Sequence, residues 1–494
     1  MPLQITARDI KNAHPMRLQS QTDLYYAKVG NRLLQRLLRL PAREEMDGET
    51  VELIAKKVAL YFEDVICDCG LWRSFVEKHR ELYGRWLPFH EVDKDYMADE
   101  PHIEDIALVV WNVLLEMWKD KIVNPESPRI MQIAEAFYEI LDDEFEKAPI
   151  NEDLKEYFER AAFLDDYIEV RNELQWLAAR CYLTAGRHRD EIFEREHENV
   201  CRLLHFDEED DRGWYASMCQ VFFKYKVGPL ALLPQEWLAL LLEKNGRQGQ
   251  AEDVRRIEYR PFDLYRLEDF DAHFIHLSDT KERKISLRID DYGDMQRSTL
   301  MKTDGCVAAY IKYRGEWHVN GMDTWNKFGE QHEKLREQKR RYKTGMAQKK
   351  FDALMQKSGG SPLFYFRNGM ELRQFLMDDI GIPQHLMKPS EADDKEYIAF
   401  WVPSADEDFY IAPDAALYIK DPRNPYYNAA EARQHAVELI TNDYFVEGDM
   451  VRYLISHDML PDAAIVHGSG YELGHRQAQE NLDFLARAIR RDQY

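Results

Sequence analysis

The chain has 494 residues, 45% of them hydrophobic and 12% aromatic, and a formal charge of −24. That composition excludes wholesale disorder and suffices for roughly three domains, while the charge repels bulk nucleic acid unless basic residues cluster locally. The opening MPLQITARDIKNAHP has no apolar secretory core, and the longest apolar run, from Ile106 to Leu114, falls far short of the ~20 residues of a membrane span. Six cysteines make no disulfide framework in a chain this long, so the expected compartment is the cytoplasm, without membrane contact.

Residues 20 to about 250 read as helices. Thr22-Asp23 is placed to cap a helix in which Leu24, Val29, Leu33, Leu34, Leu37 and Leu38 recur at helical spacing. A second helix is expected from Glu49 through Phe62, and a third after Pro101, where Glu104 and Asp105 precede the apolar run as the helix dipole favours. Asn151 caps the next helix, through Arg160, and the one after it is expected to run to Leu183 with Gly186 as its stop. Trp176, Trp214 and Trp237 read as core residues of this region.

The period changes near residue 254. Val254–Tyr259, Ala272–Leu277 and Lys284–Ile289 alternate every second residue, as half-buried strands do, and 279–282 suits the turn between the last two. Cys306–Tyr313 and Glu316–Val319 flank Arg314-Gly315, a tight hairpin. Five short strands in so little chain predict a small antiparallel barrel of SH3-like or OB-like size. A basic helix follows at 334–343 and 348–350, and Ser358-Gly-Gly-Ser361 reads as a linker. Beyond it strands are expected at 363–366, 397–402 and 416–419, and helices at 371–377, 429–441 and 450–456. The expected fold class is therefore α+β: a large all-helical domain at 1–252, the barrel at 253–325, the basic helix and linker at 326–360, and a C-terminal α+β domain at 361–494.

The stretch His14-Pro-Met-Arg-Leu-Gln-Ser-Gln-Thr-Asp-Leu-Tyr-Tyr26, with Asn31-Arg-Leu-Leu34 after it, carries a family resemblance. Glu104-Asp-Ile106 with Trp111, Asn124-Pro-Glu-Ser-Pro128, Leu141–Pro149 and Asn481–Arg487 support it. Together they resemble domain-of-unknown-function family 3843, an uncharacterised and mainly Bacteroidetes family. The resemblance implies a bacterial cytoplasmic protein and transfers no catalytic residue. His14-Pro15 and Tyr25-Tyr26 match the pattern and read as anchors of the N-terminal arm.

Motifs that carry chemistry are sparse. His197, Cys201 and His205 stand four residues apart on one helical face, a spacing that could hold a metal with Glu194 or Glu198. Phe193, Val200 and Leu204 share or border that face, which equally suits packing. Cys67-Asp-Cys69 lacks the C-x-x-C spacing of redox and zinc-knuckle sites and reads as structural. Neither a G-x-S-x-G elbow nor an H-E-x-x-H helix occurs. From 333 to 357 nine Lys or Arg residues face three acids. Lys339, Arg340, Arg341, Lys343, Lys349 and Lys350 would contact phosphates of a nucleic acid or another anion there, or pair with the chain's own acids. Asp421-Pro-Arg-Asn-Pro-Tyr-Tyr427 suits a ligand contact or plain turn chemistry.

The C-terminal HGSGYELGHR misses a phosphate loop and a dinucleotide fingerprint by one residue each. Ser469-x-x-Glu472 fits a capping box instead, opening a helix with Gly474, Ala478, Leu482, Leu485 and Ile489 on one stripe and Arg487, Arg490 and Arg491 at its C-terminal end. The functional expectation is a non-enzymatic binding or scaffold protein with a protein partner and no cofactor. The alternatives are a nucleic-acid-associated protein using the basic helix, and an enzyme whose acids and histidines converge only in space.

Overall fold

The computed structural model describes the chain outside residues 1–2, 45, 118–122, 126, 161–163, 187, 205–206, 208–210, 290–299, 332, 335–345, 384–393, 443–444, 462–479 and 492. Compactness divides it into one unit of residues 1–117 and 125–338 and another of 118–124 and 339–494. The fold class is α+β: a helical N-terminal part, a closed five-stranded barrel and a C-terminal α+β region. Among the described residues no helix is long and apolar enough to cross a membrane.

The first unit begins with α1 (Ala7–Ala13) and α2 (Asp23–Leu37). The apolar face of α2 is formed by Tyr26, Val29, Leu33, Leu34 and Leu37, while Leu24 is exposed. Asp23 is no cap for it. Its carboxylate turns back to accept the Ser20 N–H at 3.1 Å and lies 3.6 Å from His14 Nδ1. The second helix, α3 (Gly48–Cys67), runs a full turn past the expected end, because its last turn carries the buried Glu63, Asp64 and Cys67. Next come α4 (Leu71–Tyr83), α5 (Ile103–Met117), α6 (Pro128–Phe145) and α7 (Glu152–Glu159), which Asn151 caps through the Leu154 N–H.

The helix after that, α8 (Tyr167–Ala179), stops four residues before Leu183. Arg180 and Cys181 both donate N–H to the Trp176 carbonyl, and the Thr184 hydroxyl donates back to Leu177 at 2.5 Å. The tight turn carries the Tyr182 hydroxyl to the buried Asp64 carboxylate, 2.8 Å away. Then follow α9 (His188–Leu204), α10 (Asp211–Lys224), α11 (Pro234–Lys244) and α12 (Gln248–Arg255). Trp176 and Trp237 are core residues, as their size suggests, but Trp214 is exposed.

The barrel comprises β1 (Glu258–Phe270), β2 (Phe274–Ser278), β3 (Lys284–Arg288), β4 (Gly305–Tyr313) and β5 (Glu316–Asn326). Val254 belongs to α12, and the first strand starts later and is longer than the alternation suggested. Its register shifts between Arg260 and Asp263, around Pro261, which breaks the period-two pattern. The strands close in the order β1-β2-β3-β5-β4, with β3 and β5 parallel through Leu287 and Trp317 and the other pairs antiparallel. That is OB-type rather than SH3-type closure. Tyr265, Ile275, Leu277, Ile285, Leu287, Leu300 and Tyr310 fill it. The β4–β5 hairpin turns where expected, with Arg314 and Gly315 both at positive φ (48° and 87°).

In the second unit α13 (Gln348–Lys357) ends at Gly359 and Gly360, both of positive φ, and Ser361 leads straight into β6 (Leu363–Asn368). The Ser-Gly-Gly-Ser stretch is thus a helix-terminating turn within one unit. After α14 (Gly369–Phe375), β6 pairs with β7 (Glu396–Trp401), which pairs with β8 (Tyr410–Ala412). Residues 416–419 do not form the third strand. Ala415–Leu417 is a 3₁₀ turn, and Asn424 binds the Ala416 and Ile419 carbonyls that a ladder would use. Asp421 and Arg423 pair across the Asp421–Tyr427 loop, and Arg423 also holds Ser361, so turn chemistry accounts for these residues.

The described helices end with α15 (Ala429–Thr441), α16 (Gly448–Ser456) and α17 (Leu482–Ile489). Ser469, Glu472, Gly474 and Ala478 lie outside the described residues. Arg490 serves a neighbouring helix rather than its own. Its buried guanidinium donates to the carbonyls of Leu439, Ile440, Asn442 and Val446, at and beyond the end of α15. Arg491 does cap its own helix, at Ala488, and Arg487 pairs with Asp483.

Asp105 on α5 is fully buried and accepts the hydroxyls of Tyr61 and Tyr96, each at 2.8 Å. Burial pushes its carboxyl up to about 8. A raised carboxyl pKa means that the folded chain keeps a proton the unfolded chain has lost. Stability from this group is therefore full below the unfolded value near 4 and falls as pH rises towards 8, by ~1.4 kcal/mol per pH unit at most. Asp105→Asn, whose amide serves both tyrosines without ionising, should flatten the decline in urea-unfolding free energy over that window. An unchanged slope would contradict the assignment.

Candidate functional site

Two neighbourhoods of the first unit bring reactive or recognition side chains together. One lies on α8, α9 and α10, where the sequence placed a metal candidate. His197 and Cys201 are both buried and face one another, with Cys201 Sγ 3.6 Å from each ring nitrogen of His197. His205 lies outside the described residues. Among the described residues no group of three His, Cys, Asp or Glu side chains is placed to hold a metal. What the pair touches is packing. The His197 ring stacks on Trp214 at 4.1 Å between centroids and 21° between planes, and Phe193 stacks on the same indole at 4.7 Å. Ser217 Oγ lies 3.3 Å from His197 Nδ1 and donates to the Gly213 carbonyl.

Gly213 lets the two helices approach. A Cβ there would stand 2.6 Å from Cys201 Sγ and 3.1 Å from His197 Cε1. The four-residue spacing of His197 and Cys201 thus builds a floor under Trp214.

That floor carries an exposed apolar face. Trp214 and Tyr215 are each 41% exposed, Met218 36%, and Ile168 on α8 43%. Arg171 Nη1 donates to the Tyr215 hydroxyl at 3.2 Å and Gln175 to Met218 Sδ at 3.4 Å, so the two helices form one continuous surface. Tyr167 extends it onto the barrel, stacked on His318 at 4.4 Å with its hydroxyl on the Val319 carbonyl. The opposite side of α10 docks on β5, where Asn320 and Gln220 exchange hydrogen bonds with the facing backbone. Sequence reading missed this face because large aromatics count as core. The signal was the Trp214, Tyr215, Met218 spacing directly after an acidic run.

The second neighbourhood is a cavity of about 290 Å³ at the α3–α4 junction. Its walls include Cys67, Cys69, Arg73, Lys155, Glu159 and Lys244. Beneath it Asp64 is buried. One carboxylate oxygen accepts the N–H groups of Gly70 and Leu71, and the other those of Trp72 and the Tyr182 hydroxyl. Burial still pushes its pKa up to about 6. The neighbouring Glu63 binds His14 Nε2 at 2.9 Å and the Asn151 amide at 2.7 Å, while His14 Nδ1 lies 3.0 Å from the Leu18 carbonyl. Both ring nitrogens therefore face acceptors. Burial opposes the charged ring, but Glu63 outweighs it and the His14 pKa is raised. Tyr26 binds the Pro149 carbonyl and Tyr25 the Glu144 carboxylate. His14, Tyr25 and Tyr26 thus anchor the N-terminal arm and α2.

Of the basic candidates, Lys339, Arg340, Arg341 and Lys343 lie outside the described residues. Lys350 binds the Ile380 carbonyl at 2.9 Å, and Lys349 is exposed.

Gly213→Ala should lower the urea-unfolding free energy by the ~1–3 kcal/mol of an overpacked contact. Adding Cys201→Ala should restore part of the loss. A neutral Gly213→Ala would mean that the helices do not meet as closely as described.

No curated protein and no solved structure matches the chain. A family described as a protein of unknown function (DUF3843) matches residues 4–271 and 328–491, the two segments flanking the stretch that holds β2 to β5. The match spans most of the chain, which belongs to that family.

Proposed function

We propose that this protein is a non-enzymatic binding protein of the bacterial cytoplasm, and that a protein partner docks on the exposed face of α8 and α10. The observation that carries the reading is the cluster of Trp214, Tyr215, Arg171, Met218 and Ile168 on one surface. Trp, Tyr and Arg dominate binding energy where they become desolvated, and Met adapts to a partner's contour. The face is also ordered in advance: Trp214 rests on His197 and Phe193, and Arg171 is held by Tyr215, so little side-chain entropy is lost on docking. Six free, buried cysteines accord with a reducing compartment.

The test is quantitative co-purification from the producing organism with the unaltered chain and with Trp214→Ala and Met218→Ser variants. The partner's affinity should fall roughly 30-fold for Trp214→Ala, the ~2 kcal/mol of a hot-spot residue. His197→Ala should weaken it too, although its side chain lies beneath the face. Equal recovery by the Trp214→Ala chain would refute this surface.

A second reading has its own support in the barrel. OB-type closure leaves the outer face of β2 and β3 available, the face such barrels use for single-stranded nucleic acid. There Phe274 pairs with Arg288, His276 with Ser286 and Ser278 with Lys284 across the strands, and Phe274 is exposed. Lys339, Arg340, Arg341, Lys343, Lys349 and Lys350, in the other unit, would make phosphate contacts of their own in this reading. Fluorescence anisotropy with single-stranded RNA and DNA should then show salt-sensitive binding that Phe274→Ala and Lys284→Glu weaken. No binding at low salt would dispose of it.

A further inference from the structure

The cysteine pair at the α3–α4 junction is used by neither surface discussed above. α3 ends at Cys67, Asp68 takes a left-handed backbone (φ 50°), and Cys69 follows, its carbonyl held by the Asn245 amide at 3.3 Å. The turn folds the two side chains onto one another, so that Cys67 Sγ and Cys69 Sγ stand 2.8 Å apart as free thiols. Cys67 also donates to the Glu63 carbonyl at 2.7 Å, which leaves its sulfur to accept the Cys69 S–H. Both residues line the 290 Å³ cavity, together with the basic side chains of Arg73, Lys155 and Lys244 and the acidic ones of Asp68 and Glu159, Arg73 pairing with Asp68 and Lys244 with Glu77. Two thiols in contact in the wall of a cavity that also carries basic and acidic side chains form an arrangement that packing alone does not require.

We propose that Cys67 and Cys69 are a reversible dithiol–disulfide pair that exchanges with a low-molecular-weight disulfide bearing both amino and carboxylate groups, one arm of which enters the cavity. Cys67 loses its proton and attacks one sulfur of the small disulfide, whose S–S bond breaks and whose leaving thiolate takes up a proton. Cys69 then loses its proton and attacks the Cys67 sulfur of the mixed disulfide, expelling the second small thiol. In balance, two protein thiols and one small disulfide become one protein disulfide and two small thiols. The hydrogen bond to Cys67 and burial raise the Cys69 thiol, and the Cys67 thiol, although the hydrogen bond from Cys69 lowers it, is raised by burial and by Glu63 and Asp64, so the exchange is slow, as suits a switch more than a turnover enzyme. The new bond would fix the turn that joins α3 to α4 and form part of the cavity wall. The inference is independent of the partner face on α8 and α10.

The full chain is equilibrated with graded mixtures of glutathione and glutathione disulfide, trapped by alkylation, digested and mapped by mass spectrometry. Cys67 and Cys69 should leave the alkylatable pool together, as one intramolecular disulfide two hydrogens lighter, while Cys181, Cys201, Cys219 and Cys306 remain alkylatable. Cys69→Ser should accumulate a stable mixed disulfide at Cys67. The proposal fails if Cys67 and Cys69 stay alkylatable in excess glutathione disulfide. It also fails if they oxidise no sooner than the other four cysteines, or if Cys69→Ser traps no glutathione.

Discussion

Glu63 and Asp64 stand side by side in the last turn of α3 and point to different sides of it. Glu63 holds His14 of the N-terminal arm and Asn151, the cap of α7. Asp64 takes three successive N–H groups at the start of α4 and the hydroxyl of Tyr182 beyond α8. Two neighbouring carboxylates thereby tie three distant segments and the start of the next helix to α3. Removing one partner of such a buried, hydrogen-bonded charge costs ~3–5 kcal/mol, more than most apolar contacts. The stretches that carry the family resemblance meet in the same region, since His14, Tyr25 and Tyr26 bind Glu63, Glu144 and Pro149 respectively.

This arrangement bears on function because it uses these acids internally. The Asp64 carboxylate is surrounded by donors from its own fold. It also fixes the backbone after Cys69, and so contributes to bringing the two thiols together. The proposed partner surface draws instead on groups that the fold exposes, the aromatic face of α8 and α10, beneath which a histidine and a cysteine at metal-like spacing serve as its support.

Much of the architecture was legible where one physical signal dominated. Helical spacing located α2, acids ahead of an apolar run located α5, the Asn151 cap located α7, and the strand patterns flanking Arg314-Gly315 placed the hairpin. Signals failed where tertiary contacts overrode the local pattern. Tyr182 had to reach Asp64, so α8 ended early. Pro261 introduced a bulge that hid the long first strand. Asn424 took the carbonyls of a segment that alternation marked as a strand. Trp214 looked like core because nothing in a single sequence shows that a helix rests on the next one through Gly213. Arg490 could be assigned to a helix end, but only the tertiary fold revealed which helix.

The dependence of the helical unit on the two carboxylates is measured most directly by hydrogen–deuterium exchange of the Glu63→Gln and Asp64→Asn chains. Glu63→Gln should speed exchange in residues 7–18 and 151–159, and Asp64→Asn in 70–75 and 180–185. Both should leave the barrel strands and residues 363–368 protected as before. Unchanged protection in those segments, or loss spread evenly over the chain, would contradict the account.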